Sequence, residues 1–136
     1  MASGFRVSLD LRYDPNCAAY SYGLVHHFFL AHPCKWVARA SLTLRASDDS
    51  VILVAISCVD MRNTALAKAY KRLVDAPGTG NVLELSRQSD PYKDVRFTGD
   101  FYESGMVETS VWNVQVQPTG RLPISATRSI LKDSRQ

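Results

Sequence analysis

The 136-residue chain has no apolar run approaching the roughly 18 residues that a membrane span requires. Its opening residues, Met-Ala-Ser-Gly-Phe-Arg, lack the basic start and apolar stretch of an export signal. A soluble, cytoplasmic protein is expected. Cysteine is scarce: Cys17, Cys34 and Cys58 are odd in number and fall in no short paired spacing. That pattern argues against a disulfide framework and a structural zinc site, and predicts reduced, mostly buried thiols. No glycine-rich phosphate loop is present either. Gly78-Thr79-Gly80 follows a helical stretch and precedes an extended one, the reverse of the order that builds a phosphate cradle. Internal repeats and low-complexity tracts are missing. Excess charge is small, at +3, which permits contact with phosphate or an acidic partner without requiring it.

What is present is enough apolar residue, 46%, for one core, in a chain too short for two ordinary domains. Phe5, Val7, Leu9, Leu11 and Tyr13 alternate with Arg6, Ser8, Asp10 and Arg12, a strand with one buried and one wet face. Asp14-Pro15 is a helix start, and that helix is predicted to run to about Ala31, before His32-Pro33 stops it. A hairpin follows. Its first strand alternates from Lys35 to Arg45, and its second, Val51 to Val59, is apolar on both faces and therefore central. Asn63-Thr64 caps a second helix with a stripe of Leu66, Tyr70, Leu73 and Val74, ended by Ala76-Pro77-Gly78. Strands are then expected over Val82 to Arg87, Val95 to Tyr102 and Val107 to Gln117. The predicted fold class is α+β, a mainly antiparallel sheet with two helices on one face in the order β-α-β-β-α-β-β-β. Residues 1–117 form the domain, and residues 118–136 a basic tail.

Chemistry is suggested most by residues 21–36, which hold all three histidines and Cys34. Neighbours on a helix point about 100° apart, so His26 and His27 cannot both reach one metal. Leu24, Phe28 and Ala31 are expected to pack on the sheet, with the histidines at the helix rim and end, and no metal or cofactor is predicted. Cys34 follows a helix C-terminus, where the dipole does not favour a thiolate. Asp10 with Asp14, and Asp48 with Asp49, read as solvating and turn-capping carboxylates. Trp36 and Trp112 fall on core faces; Trp112 is expected to be buried with Val114 and Val116.

The basic residues form the stronger pattern. Lys35, Arg39 and Arg45 share a strand face with Ser41 and Thr43, a set suited to phosphate oxygens. Arg6 and Arg12 extend it if the two strands are neighbours. Lys68 and Arg72 line the outer side of the second helix, and Arg121 and Arg128 belong to the tail.

Leu11-Arg12-Tyr13-Asp14 closing a strand, the helix ending in Phe28-Phe29, the hairpin and the helix from Asn63 resemble, over residues 11 to 76, the tombusvirus silencing suppressor. That family's RNA-capping tryptophans have no counterpart before Phe5, so measurement of RNA length is not implied. The resemblance implies a viral, double-stranded-RNA-binding homodimer that grips RNA on its sheet. "VILVAISCVDMR" and "VWNVQVQP" are similar to stretches of single-jelly-roll coat and movement proteins, which implies an assembly module instead. A small hot-dog-like enzyme using His27 or Asp14 is the third reading. The expectation carried forward is a non-enzymatic RNA-binding protein with an open basic sheet face and no membrane partner.

Overall fold

The apolar run that begins at Val51 becomes the middle of the sheet, because only a strand with neighbours on both edges and cover on both faces has no need of polar residues. The structure, a computed structural model, describes residues 5–48, 50–88 and 91–119. Strands β1 (Phe5–Asp14), β3 (Trp36–Ala46), β4 (Val51–Asp60), β6 (Tyr102–Val107) and β7 (Ser110–Pro118) form one antiparallel sheet in the order β1-β3-β4-β7-β6. Two short strands, β2 (Ser21–Tyr22) and β5 (Gly80–Val82), pair separately. Helices α1 (Gly23–Ala31) and α2 (Thr64–Asp75) complete the α+β architecture. Among the described residues no helix is long and apolar enough to cross a membrane.

Register assigns the two faces. Val37, Val59 and Val111 are aligned across β3, β4 and β7, and they join a core with Val25 and Phe29 of α1 and Ala67, Tyr70 and Val74 of α2. Leu44, Ile52, Val54, Val114 and Val116 have the opposite parity and form a second cluster on the other face. Both helices therefore lie on one face. Asn63 caps α2 by accepting from the Leu66 N–H at 2.8 Å, as its side-chain type predicts. The single five-stranded sheet formed by the described residues is not the two-sheet sandwich of a jelly roll.

Several local expectations are corrected. The helix predicted from Asp14 starts only at Gly23, whose φ of +71° suits glycine. Asp14 instead accepts from the Asn16 N–H at 2.8 Å in a tight turn, and Ala18–Tyr20 form one 3-10 turn before β2. The later start changes which side faces the sheet: Val25 and Phe29 are buried, while Leu24 and Ala31 are exposed and Phe28 is half-buried. The strand expected over Val82 to Arg87 is only β5, followed by a 3-10 turn at Leu85–Gln88, and the strand placed from Val95 starts at Tyr102.

Trp112 is half-buried, not enclosed, and its indole lies across Gly105 of the neighbouring strand, where any Cβ would collide with the ring. A further correction concerns thiols. Cys17 and Cys34 form a disulfide with Cα atoms 6.1 Å apart, because α1 doubles the chain back and brings its two flanks together. Cys58 stays free, and burial with the nearby Asp60 carboxylate pushes its thiol up.

Candidate nucleic-acid interface

Alternation places Arg6, Ser8, Asp10, Arg12 and Asp14 on one side of β1, and antiparallel pairing sets each against a residue of β3. Arg6 is opposite Arg45, Ser8 opposite Thr43, Asp10 opposite Ser41 and Arg12 opposite Arg39. The neighbouring strands required by the sequence reading are thus present, and two arginine pairs face each other directly. The segment after β5 roofs part of this surface. It leaves a hollow of about 520 Å³ bordered by Arg6, Ser8, Thr43, Arg45, Ser86 and Tyr92. A smaller hollow, about 300 Å³, adjoins it beside Arg12, Asp14, Tyr20 and Gln88.

The four arginines do not share one environment. Arg6 is exposed and makes no ion pair among the described residues. Arg45 is half-buried, donates to the Tyr92 hydroxyl at 3.1 Å and makes no ion pair among the described residues. Arg12 is exposed and pairs with Asp10 at 3.1 Å. Arg39 is only 4% exposed, which corrects the expectation that it meets phosphate. It donates to the Leu83 carbonyl at 3.2 Å and to Gln88 Oε1, and its guanidinium lies 4.2 Å from the centre of the Tyr20 ring. Burial lowers its pKa, with Tyr20 and Asp14 opposing, yet an arginine so placed remains a cation. Its role is to fasten the roof to the sheet.

Other predicted basic residues lie apart. Lys35 precedes β3, is exposed and borders neither hollow. Lys68 and Arg72 are exposed on α2, which packs over β6 and β7 at the sheet edge opposite β1. Arg121 and Arg128 fall outside the described residues. The histidines do not converge: His26 Nδ1 meets the Ala18 carbonyl at 2.7 Å, His27 is exposed, and the His32 ring lies 5.0 Å from that of Phe28. No group of three or more His, Cys, Asp or Glu among the described residues is placed to hold a metal ion.

Tyr20, Gln88 and Tyr92 were not singled out in the sequence. The break at Ser89-Asp90-Pro91 marked a loop, but nothing local indicated that its flanks fold over β1 and β3. Comparison with protein-family models, curated proteins and solved structures finds no significant match.

Proposed function

We propose that the protein is a non-enzymatic RNA-binding protein that holds phosphates of double-stranded RNA on the shelf formed by β1 and β3. The observation that carries this reading is the direct opposition of Arg6 and Arg45. Like charges across a strand pair are destabilising, and an anion between them reverses the sign of the interaction. Hydroxyls of Ser8, Thr43 and Tyr92 border the same hollow and supply the neutral donors that phosphate contacts also use. Tyr20 and Tyr92 are engaged by Arg39 and Arg45. This arrangement favours a duplex backbone over single-stranded bases, which need open rings for stacking. The role of a viral silencing suppressor acting in host cytoplasm extends this reading from the resemblance of residues 11 to 76. In the cytosol, where thiols are kept reduced, the Cys17–Cys34 bond must be dispensable for that role.

The test is fluorescence anisotropy of a short RNA duplex against salt concentration. Arg6→Ala combined with Arg45→Ala is expected to weaken binding at low salt and reduce the log–log salt slope by about two, roughly one per lost phosphate contact. Its melting temperature should match the parent's. A parent that does not bind duplex RNA at low ionic strength overturns the proposal. An unchanged slope in the double variant moves the contact to Lys68 and Arg72 or to Arg121 and Arg128.

A further inference from the structure

Among the described residues, the β1 edge of the sheet carries ten residues with a neighbour on one side only. Leu9, Leu11 and Tyr13 on its apolar side are 65%, 61% and 66% exposed, and Val7 is 42% exposed. A long edge with an open apolar row invites pairing with another strand. The opposite edge, β6, is shorter and lies beside α2, whose Asp75 accepts from Tyr102 and Ser104 of that strand.

We infer that β1 is a homodimer interface, in which the β1 strands of two copies pair antiparallel about a two-fold axis through Leu11 and join two sheets into one of ten strands. This inference is independent of RNA binding. A second copy fits because β1 is complementary to itself in one register. Partners in an antiparallel pair point to the same face, so apolar residues meet apolar residues only when the axis passes through a residue. An axis at Asp10 sets two aspartates together, and one at Leu9 sets Arg6 against the partner's Arg12. With the axis at Ser8, Leu9 meets Val7 and Leu11 meets Phe5, but Tyr13 finds no partner within the described strand. The axis at Leu11 pairs Leu11 with itself and Leu9 with Tyr13, so the three most exposed apolar residues of the row cover one another. On the other face it sets Arg12 against the partner's Asp10 twice, while Arg6 and Arg45 remain uncovered. Such isologous pairing is the commonest form of dimer symmetry.

The experiment is light scattering after gel filtration, with circular dichroism as a check on folding. The parent is expected to be a dimer at tens of micromolar, while Leu11→Lys, which brings two ammonium groups together on the axis, is expected to be a folded monomer. Asp10→Arg and Arg12→Asp, each alone, turn two attractive pairs repulsive and should weaken dimerisation about tenfold, with the double variant restoring it. In a Cys58→Ser background, Leu11→Cys should form a disulfide-linked dimer on mild oxidation. A monomeric parent, or a dimer unaffected by Leu11→Lys and by both charge reversals, overturns the inference.

Discussion

Arg39 and Arg45 stand on the same side of β3, six positions apart, yet one is enclosed and the other reaches a groove. Alternation made their common side legible in the sequence. It did not reveal that Leu83 and Gln88, 44 and 49 positions away, close over Arg39. Removing the enclosed guanidinium leaves the Leu83 carbonyl and the Gln88 amide without their donor and the Tyr20 ring without its cation. Arg39→Ala is therefore expected to lower stability by about 2 to 4 kcal/mol in urea unfolding. Arg45→Ala should lower it by less than about 1 kcal/mol, since the contact it loses is one hydrogen bond, to the Tyr92 hydroxyl, at a partly open site. Equal losses in the two variants would show that the roof is not held by Arg39.

Among the elements, α1 differs most from its sequence signature. The residues flanking it, Cys17 and Cys34, are 17 positions apart, and their odd company and wide spacing gave no sign of a pair. They meet because the 3-10 turn at Ala18–Tyr20, β2 and α1 reverse the chain, bringing one flank beside the other. Closing a loop of this length removes freedom from the unfolded chain, so the bond should contribute about 3 kcal/mol. Reduction, or Cys17→Ser, is expected to lower the melting temperature, and a thiol assay under denaturing conditions should count one free cysteine before reduction and three after it. Three free thiols in protein purified without reductant would contradict the disulfide. Phase on α1 was likewise hidden, because its starting point depends on Gly23 passing close to Gly80 of β5, a contact between distant segments.

At the scale of the whole molecule, two carboxyls shape the response to acid in opposite ways. Burial raises Asp75, but hydrogen bonds from Lys71, Ser104 and Tyr102 outweigh it and hold the carboxyl below its ordinary value of 3.8. The stability that it contributes by tying α2 to β6 is present above that value and is lost as pH falls through the folded pKa. Glu84 is raised above 4.5 by burial, which its neighbour Arg87 only partly offsets. Its contribution is favourable below 4.5 and is lost as pH rises through the raised folded value, leaving a cost at neutral pH. Asp75→Asn should lower stability by about 1 to 2 kcal/mol near neutrality and approach the parent in acid. Glu84→Gln should raise the neutral urea midpoint and remove the gain on mild acidification. Urea midpoints from about pH 3 to pH 8 check both. An Asp75→Asn deficit that persists unchanged in acid would show that the carboxylate's charge does not matter there.

The same long-range placement separates what the sequence by itself determined from what it left open. Residue periodicity and apolar run length were sufficient for the α+β class, the central position of β4, the cap at Asn63 and the basic side of β1 and of β3 taken singly, because those signals act between residues close in the chain or repeat along it; that the two strands are neighbours came from the fold. Burial of Arg39, exposure of Leu9, Leu11 and Tyr13, the Cys17–Cys34 bond and the separation of Lys68 and Arg72 from the arginine shelf were decided only by the tertiary structure. Each depends on which distant segment comes to lie beside a strand or helix, and an alternating pattern is the same whether the strand ends up at the centre of a sheet or at its edge.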